Sequence, residues 1–386
     1  MSRAMQTVRQ WVPALGGACE ARIGHGTIAE CEAVFKGAVG TPQRAELMVG
    51  SGTNEMTEEL VRRELTSAGF VVERTEVPSG STARQLQEAS RLVGRLDAHH
   101  VTADDLVVAI GDADVLSVAS NVCVAWCGGV QMAAIPLDLT ALVEVAPAPR
   151  GIDLAAHAQV LSPRPACRYL VADLDLMDVS PTGETTLCAR ALMAQAAMVD
   201  SEQSFSRLWD RSLEVAQGPD AAEADSDVDA EIDAAVDVAS DTLAEQAADT
   251  LKTRGRIASS SALAVRQGLR YGRELAYALG ALTELPLSTR LAEGLRFSAR
   301  VSAGLGVLGV DDVLAQDELL ERLGLPLAVA QVDAAALLER LKADAFLHSN
   351  RFQLALPQRI GRVRLSNVDD ALLEEHLGAW CAARGR

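Results

Sequence analysis

The first 140 residues alternate short, β-branched apolar runs with segments whose apolar positions recur every three to four residues. That is the pattern of strands joined by crossover helices in a mostly parallel sheet. Strands are predicted at 21–24, 46–49, 70–77, 106–110 and 130–135, and helices at 27–35, 55–68, 83–97 and 115–127. From about residue 170 onward strand signals fade, and helical periods rich in Ala and Leu run to a last helix at 368–383. The expected fold class is α/β plus α: a Rossmann-like domain with a mostly parallel sheet at 1–165, then a mainly helical domain at 166–386. Pro147, Pro149, Pro163 and Pro165 punctuate the connection.

Two stretches imitate other architectures. The uncharged run 115–137 is long enough to span a bilayer, but Ser117, Ser120, Asn121, the Gly128-Gly129 turn signal and Pro136 divide it into a buried helix and a buried strand. Gly304, Gly306 and Gly309 spell a formal dinucleotide fingerprint, yet they lie between helical periods where the fingerprint needs a preceding strand. An interhelical turn is expected there.

Charge narrows the partners. Lys and Arg total 35 against 53 Asp and Glu, a formal charge of −18, which argues against a nucleic-acid backbone as partner. Much of the excess lies in 218–249, an acidic insertion with eleven Asp or Glu and no Lys or Arg. It is expected to be a solvated loop passing into a helix with one acidic face. The seven cysteines have no disulfide rhythm, and Arg3, Arg9, Glu20 and Arg22 interrupt any apolar leader. A cytoplasmic location is expected, with no membrane partner. Cys123 and Cys127 are expected in the core, and His99-His100 in an exposed polar cluster at a helix end.

A set of fragments in order carries a resemblance: Arg22-Ile-Gly-His-Gly26, Thr53-Asn-Glu55, Val77-Pro-Ser-Gly80, the strand 106–111 ending in Gly111, the strand 129–136 ending in Pro136, Asp173-Leu-Asp175, Arg270-Tyr-Gly272 and Asn350-Arg-Phe352 through Ile360-Gly361. Together they resemble the dehydroquinate synthase family of sugar-phosphate cyclases over nearly the whole chain. The resemblance implies a dehydroquinate synthase-like fold. It also implies the family's NAD- and metal-dependent conversion of a seven-carbon keto-acid sugar phosphate, by oxidation, phosphate elimination, reduction and ring closure.

The chain departs from the family's motifs. Only Gly111 remains of three consecutive glycines, followed by Asp112, Ala113 and Asp114, whose carboxylates would repel a pyrophosphate. The family's Gly-His-x-x-x-His falls on Gly272, Arg273 and Tyr277, its His-Gly-Glu near Ser288-Thr289-Arg290, and its glutamate ligand on Ala191. No metal ligand set and no cofactor are therefore expected. Anion-binding positions kept by the resemblance are Glu144, Arg150, Lys252 and Arg266; with Arg270, Arg273 and Tyr277 they would line a vestigial cleft for a phosphate- or carboxylate-bearing small molecule. Other family positions are lost, at Gln159-Val160, Ala194 and Ala345-Phe346. Two readings follow. One is a catalytically degenerate member, a pseudoenzyme that pairs with itself or with an active relative as partner or regulator in shikimate-type metabolism. The other is an active sugar-phosphate lyase with a rebuilt site.

Overall fold

The first described elements form a hairpin, of which the hydropathy pattern assigned only the strand at 21–24. The computed structural model, which describes residues 7–155, 157–162, 164–217 and 229–385, pairs β1 (Val8–Ala14) with β2 (Gly17–Gly24) in antiparallel register, Val8 opposite Ile23. Then follow α1 (Cys31–Val39), β3 (Arg44–Gly50), α2 (Glu55–Ser67), β4 (Val71–Val77), α3 (Leu86–Ala98), β5 (Leu106–Gly111), α4 (Ala113–Ala125), β6 (Gln131–Pro136) and α5 (Leu139–Glu144). A small hairpin of β7 (Ile152–Leu154) and β8 (His157–Leu161) precedes β9 (Cys167–Asp173).

Among the described residues β1 to β6 and β9 form one sheet in the order β1-β2-β9-β6-β5-β3-β4, parallel except at β1–β2. β5 is buried along its whole length, which explains why its sequence is a continuous apolar run without alternation. α1 and α2 cover one face of the sheet, with Phe35, Leu47, Leu65 and Ile110 in a shared core. β3 sends the chain to β4 on one side, and the chain returns to β5 on the other. This reversal makes the carboxyl ends of β3 and β5 the topological switch point, where ligands of open α/β sheets bind.

The remaining elements are α6 (Glu184–Asp200), α7 (Glu202–Gln217), α8 (Asp229–Ala258), α9 (Leu263–Arg266), α10 (Arg273–Leu282), α11 (Leu287–Gly304), α12 (Val310–Arg322), α13 (Ala334–His348), a hairpin of β10 (Leu354–Arg359) and β11 (Arg362–Ser366), and α14 (Asp370–Arg384). The chain divides into two compact units, one of Met1–Val179 with Ala222–Ser259 and one of Ser180–Ala221 with Ser260–Arg386. The division thus falls at 179/180 rather than at 165/166, because β9 completes the first sheet between β2 and β6. α8 also belongs to the first unit: Gly255 lies so close to β1 that a Cβ there would stand 2.5 Å from the Pro13 carbonyl oxygen. Of the acidic segment, 218–228 lies outside the described residues, and the remainder is helical and sits in the first unit rather than inside the helical one.

The second unit has a core of Leu275, Leu279, Phe297, Leu341, Leu356 and Trp380. α10 and α11 meet at two glycines: a Cβ on Gly294 would stand 1.8 Å from the Gly272 carbonyl oxygen, and Gly272 caps α10 at φ 77°. The β10–β11 hairpin is a second departure from the sequence reading, in which strands end with the first domain. The run 115–137 is α4 and β6, and no helix among the described residues is long and apolar enough to cross a membrane. Gly304, Gly306 and Gly309 form the turn between α11 and α12, as expected. Cys127 is a correction: Cys123 is buried, but Cys127 is exposed at φ 51° where α4 has already ended.

Candidate functional site

At the switch point the chain comes close to bare backbone. A Cβ on Gly111 would lie 2.8 Å from Val115, too close for a side chain without a shift, and one on Gly50 would fit tightly, 3.2 Å from Val115 and 3.3 Å from the Ile110 carbonyl oxygen. The turn after β5 then supplies its own anion. Asp112 Oδ1 accepts the N–H groups of Asp114 and Val115 at the start of α4, each at 2.9 Å, and Oδ2 accepts the Gly80 N–H at 2.8 Å. Three donors that point toward the carboxyl edge are thereby satisfied by one carboxylate, as an N-cap residue does.

Beside it lies an ion network. Asp114 Oδ1 accepts from Arg84 Nε at 2.6 Å and from Arg150 Nη1 at 2.9 Å. Arg150 Nε reaches Glu144 Oε2 at 2.8 Å, and Arg84 Nη1 reaches Asp153 Oδ1 at 2.6 Å and the Gly151 carbonyl at 3.1 Å. Arg84, Asp114, Glu144 and Asp153 are buried. Burial alone would raise the Asp114 carboxyl, but Arg150 and Arg84 outweigh it and hold the carboxyl below its ordinary value. Asp138, buried after β6 and accepting the Ala141 N–H at 2.7 Å, is pushed up to about 6 by burial. Glu144 and Arg150, expected through resemblance as anion-binding positions, are bonded to each other. Arg84 and Asp153 were not among the candidates, since nothing local marks a side chain whose partners stand 30 and 69 positions away. Lys252, on α8 of the same unit, is exposed.

In the second unit the remaining candidates are engaged close to home. Arg266 Nη1 donates to the carbonyls of Ser260 at 2.6 Å and Ser261 at 3.2 Å. Arg273 Nη1 donates to the Tyr277 hydroxyl at 3.2 Å. Arg270 Nε stands 3.4 Å from Glu274 Oε1, which also accepts the Ala355 N–H at 3.2 Å. Glu274 is the functional candidate that the motif comparison passed over: it is buried, its Oε2 has no hydrogen-bond partner, and burial pushes its carboxyl up to about 7. Nearby, Glu184 accepts the Ser288 N–H at 2.8 Å and the Ser288 hydroxyl at 2.6 Å, closing the first turn of α11. Ala191 and Ala194 are buried on α6. Of the histidine pair, His99 is not in a loose polar cluster: its Nδ1 lies 2.7 Å from Oε2 of the fully buried Glu46.

Comparisons with known proteins bear on this geometry. No family model matches the chain. It is 23% identical over 321 residues to the 3-dehydroquinate synthase of Arthrobacter sp. (strain FB24), covering 82% of this chain and 83% of that one. It is likewise 23% identical over 317 residues to the 3-dehydroquinate synthase of Gloeobacter violaceus, covering 78% and 80%. Among solved structures, a 2-deoxy-scyllo-inosose synthase complexed with carbaglucose-6-phosphate, NAD+ and Co2+ superposes with a TM-score of 0.76 at 13% identity, over 96% of this chain and 99% of that one. The 2-epi-5-epi-valiolone synthase of Streptomyces hygroscopicus subsp. jinggangensis 5008, with NAD+ and Zn2+ bound, gives 0.71 at 12% identity, over 95% and 97%.

These neighbours overturn the expectation that no cofactor is used, because proteins of this fold hold NAD+ and a divalent metal at sequence identities too low for motif loss to decide the matter. This chain's own residues bear on the dinucleotide in two ways. Gly50 and Gly111 are packed against Val115 of the chain itself, and the N–H groups at the start of α4 are held by Asp112, which an incoming pyrophosphate would have to displace. For a metal, no group of three or more His, Cys, Asp or Glu that could hold an ion occurs among the described residues.

Proposed function

We propose that the chain, which is similar over most of its length to 3-dehydroquinate synthases and shares the fold of related sugar-phosphate cyclases, is a catalytically degenerate member of the dehydroquinate synthase family that keeps the fold for binding. The observation that carries this reading is Arg150 held between Asp114 and Glu144. An arginine that meets two carboxylates inside a buried network costs several kcal/mol to extract, so it is a poor donor for an incoming phosphate. The same economy of partners recurs at Arg266 and Arg270, whose nearest acceptors lie within six residues in the chain. The reading extends to a cytoplasmic partner or regulator in shikimate-type metabolism, forming a dimer with itself or with an active relative and answering to a phosphate- or carboxylate-bearing small molecule.

One observation favours a second reading, an active lyase with a rebuilt site. Glu274, with its carboxyl near 7 and an unpartnered oxygen, exchanges a proton in the range where a general acid or base works. Adding the purified chain to an active 3-dehydroquinate synthase tests the first reading. The relative's turnover or thermal stability is expected to change with saturation, while the chain alone, supplied with NAD+ and Co2+ or Zn2+, releases no phosphate. Phosphate release by the chain alone that Glu274→Gln abolishes would establish the second reading instead.

A further inference from the structure

Cys19 and Cys167 are 148 positions apart, yet their Sγ atoms lie 3.6 Å from each other inside the first unit, and both side chains are buried. They stand on neighbouring parallel strands, Cys19 on β2 and Cys167 at the start of β9. Glu20 pairs with Tyr169, so regular strands would place Cys19 opposite Arg168 and leave Cys167 facing the other side. The β6–β9 ladder slips here: Met132 pairs with Cys167 and Ala133 with Tyr169, which leaves Arg168 as an extra, exposed residue. A bulge of this kind re-aims the flanking side chains, and it carries Cys167 onto the face that Cys19 occupies.

We infer that Cys19 and Cys167 form an oxidisable pair that closes into a disulfide and pins β2 to β9. The sulfurs need to approach by about 1.6 Å to reach bonding distance, a shift within the reach of side-chain rotation at a bulge. Hydrogen peroxide, small enough to reach a buried site, is the oxidant. One thiolate, assigned to Cys167, attacks a peroxide oxygen, the O–O bond breaks, and hydroxide leaves as water after taking a proton, giving Cys167 sulfenic acid. Cys19 then attacks that sulfur and loses its proton; the S–S bond forms, the S–O bond breaks, and a second water leaves. Two thiols are oxidised by two electrons and one peroxide is reduced to two waters.

The test is peptide mapping of the full-length protein after peroxide treatment, with remaining thiols alkylated in denaturant before a non-reducing digest. The expected result is a Cys19–Cys167 linked peptide that dithiothreitol cleaves, absent from Cys167→Ser and retained in Cys123→Ser, with an apparent Tm raised by roughly 5–10 °C in the oxidised protein. Recovery of both cysteines alkylated after peroxide, or a link from Cys167 to Cys123 on α4 in place of Cys19, would overturn the assignment. The wild-type map alone decides between these outcomes, so the inference does not depend on the variants folding.

Discussion

Asp114 Oδ1 accepts from two arginines at once, from Arg84 Nε and from Arg150 Nη1, each of which also reaches a second carboxylate, Asp153 or Glu144. Asp114→Ala is predicted to deprive Arg84 Nε and Arg150 Nη1 of their shared acceptor while Asp153 and Glu144 still balance their charge, and to cost about 1–3 kcal/mol in urea unfolding. The pH dependence has a definite sign. Because Arg150 and Arg84 hold the folded carboxyl below its unfolded value despite burial, its contribution is present above pH ~4 and is lost as pH falls through the lower folded value. Acid unfolding of Asp114→Asn should lack that part of the slope. At the neighbouring position, Asp112→Asn keeps the helix cap and removes the charge. It is predicted to bind NAD+ or inorganic pyrophosphate roughly tenfold more tightly than the wild type by calorimetry, and unchanged affinity would mean that Asp112 does not compete for that seat. At this scale the sequence was legible only in part. The acids after β5 were visible as intruders in a glycine-rich turn, whereas Arg84 and Asp153 are functional neighbours only because the sheet brings distant loops to one edge.

Among the elements, α10 offers the clearest test of burial. The Glu274 carboxyl in its first turn is raised by desolvation to about 7, against an unfolded value of ~4.3. Its contribution is thus fully present below pH ~4 and is lost as pH rises through about 7, so the second unit should lose up to about 3 kcal/mol across that window. Glu274→Gln should flatten this arm in chemical unfolding at a series of pH values. Gly294→Ala drives a methyl into the Gly272 carbonyl and is predicted to cost about 1–3 kcal/mol or more, while Gly94→Ala on α3, where a Cβ meets nothing within 4 Å, should gain about 0.5–1 kcal/mol. The parallel strands of the first unit were readable because full burial erases alternation, as in β5. β1 and β9 were harder: β1 carries the exposed Trp11 at the sheet edge, and β9 begins at a bulge after proline-rich loop sequence. The β10–β11 hairpin is short, and its polar outer positions hide it within a helical context.

For the molecule as a whole, collinear fragments fixed the architecture better than any single motif, since spacing survives when the chemistry at each position has drifted. The two units each contain their own ion pairs and their own core, and the candidates Arg150, Arg266, Arg270 and Arg273 are engaged by groups on the same unit. Motif loss proved too weak a guide to cofactors, because solved structures of the same fold hold NAD+ and a divalent metal at 12–13% identity to this chain. The central claim is that the family's reaction is no longer performed. It is tested most directly by a single-turnover experiment: the protein in excess over the seven-carbon keto-acid sugar phosphate, saturating NAD+, Co2+ or Zn2+ supplied, and inorganic phosphate followed with time. The account predicts no phosphate above the protein-free control even at stoichiometric excess. One equivalent of phosphate released per substrate, lost again in Glu274→Gln, would contradict it and establish this chain as a working cyclase with a rebuilt site.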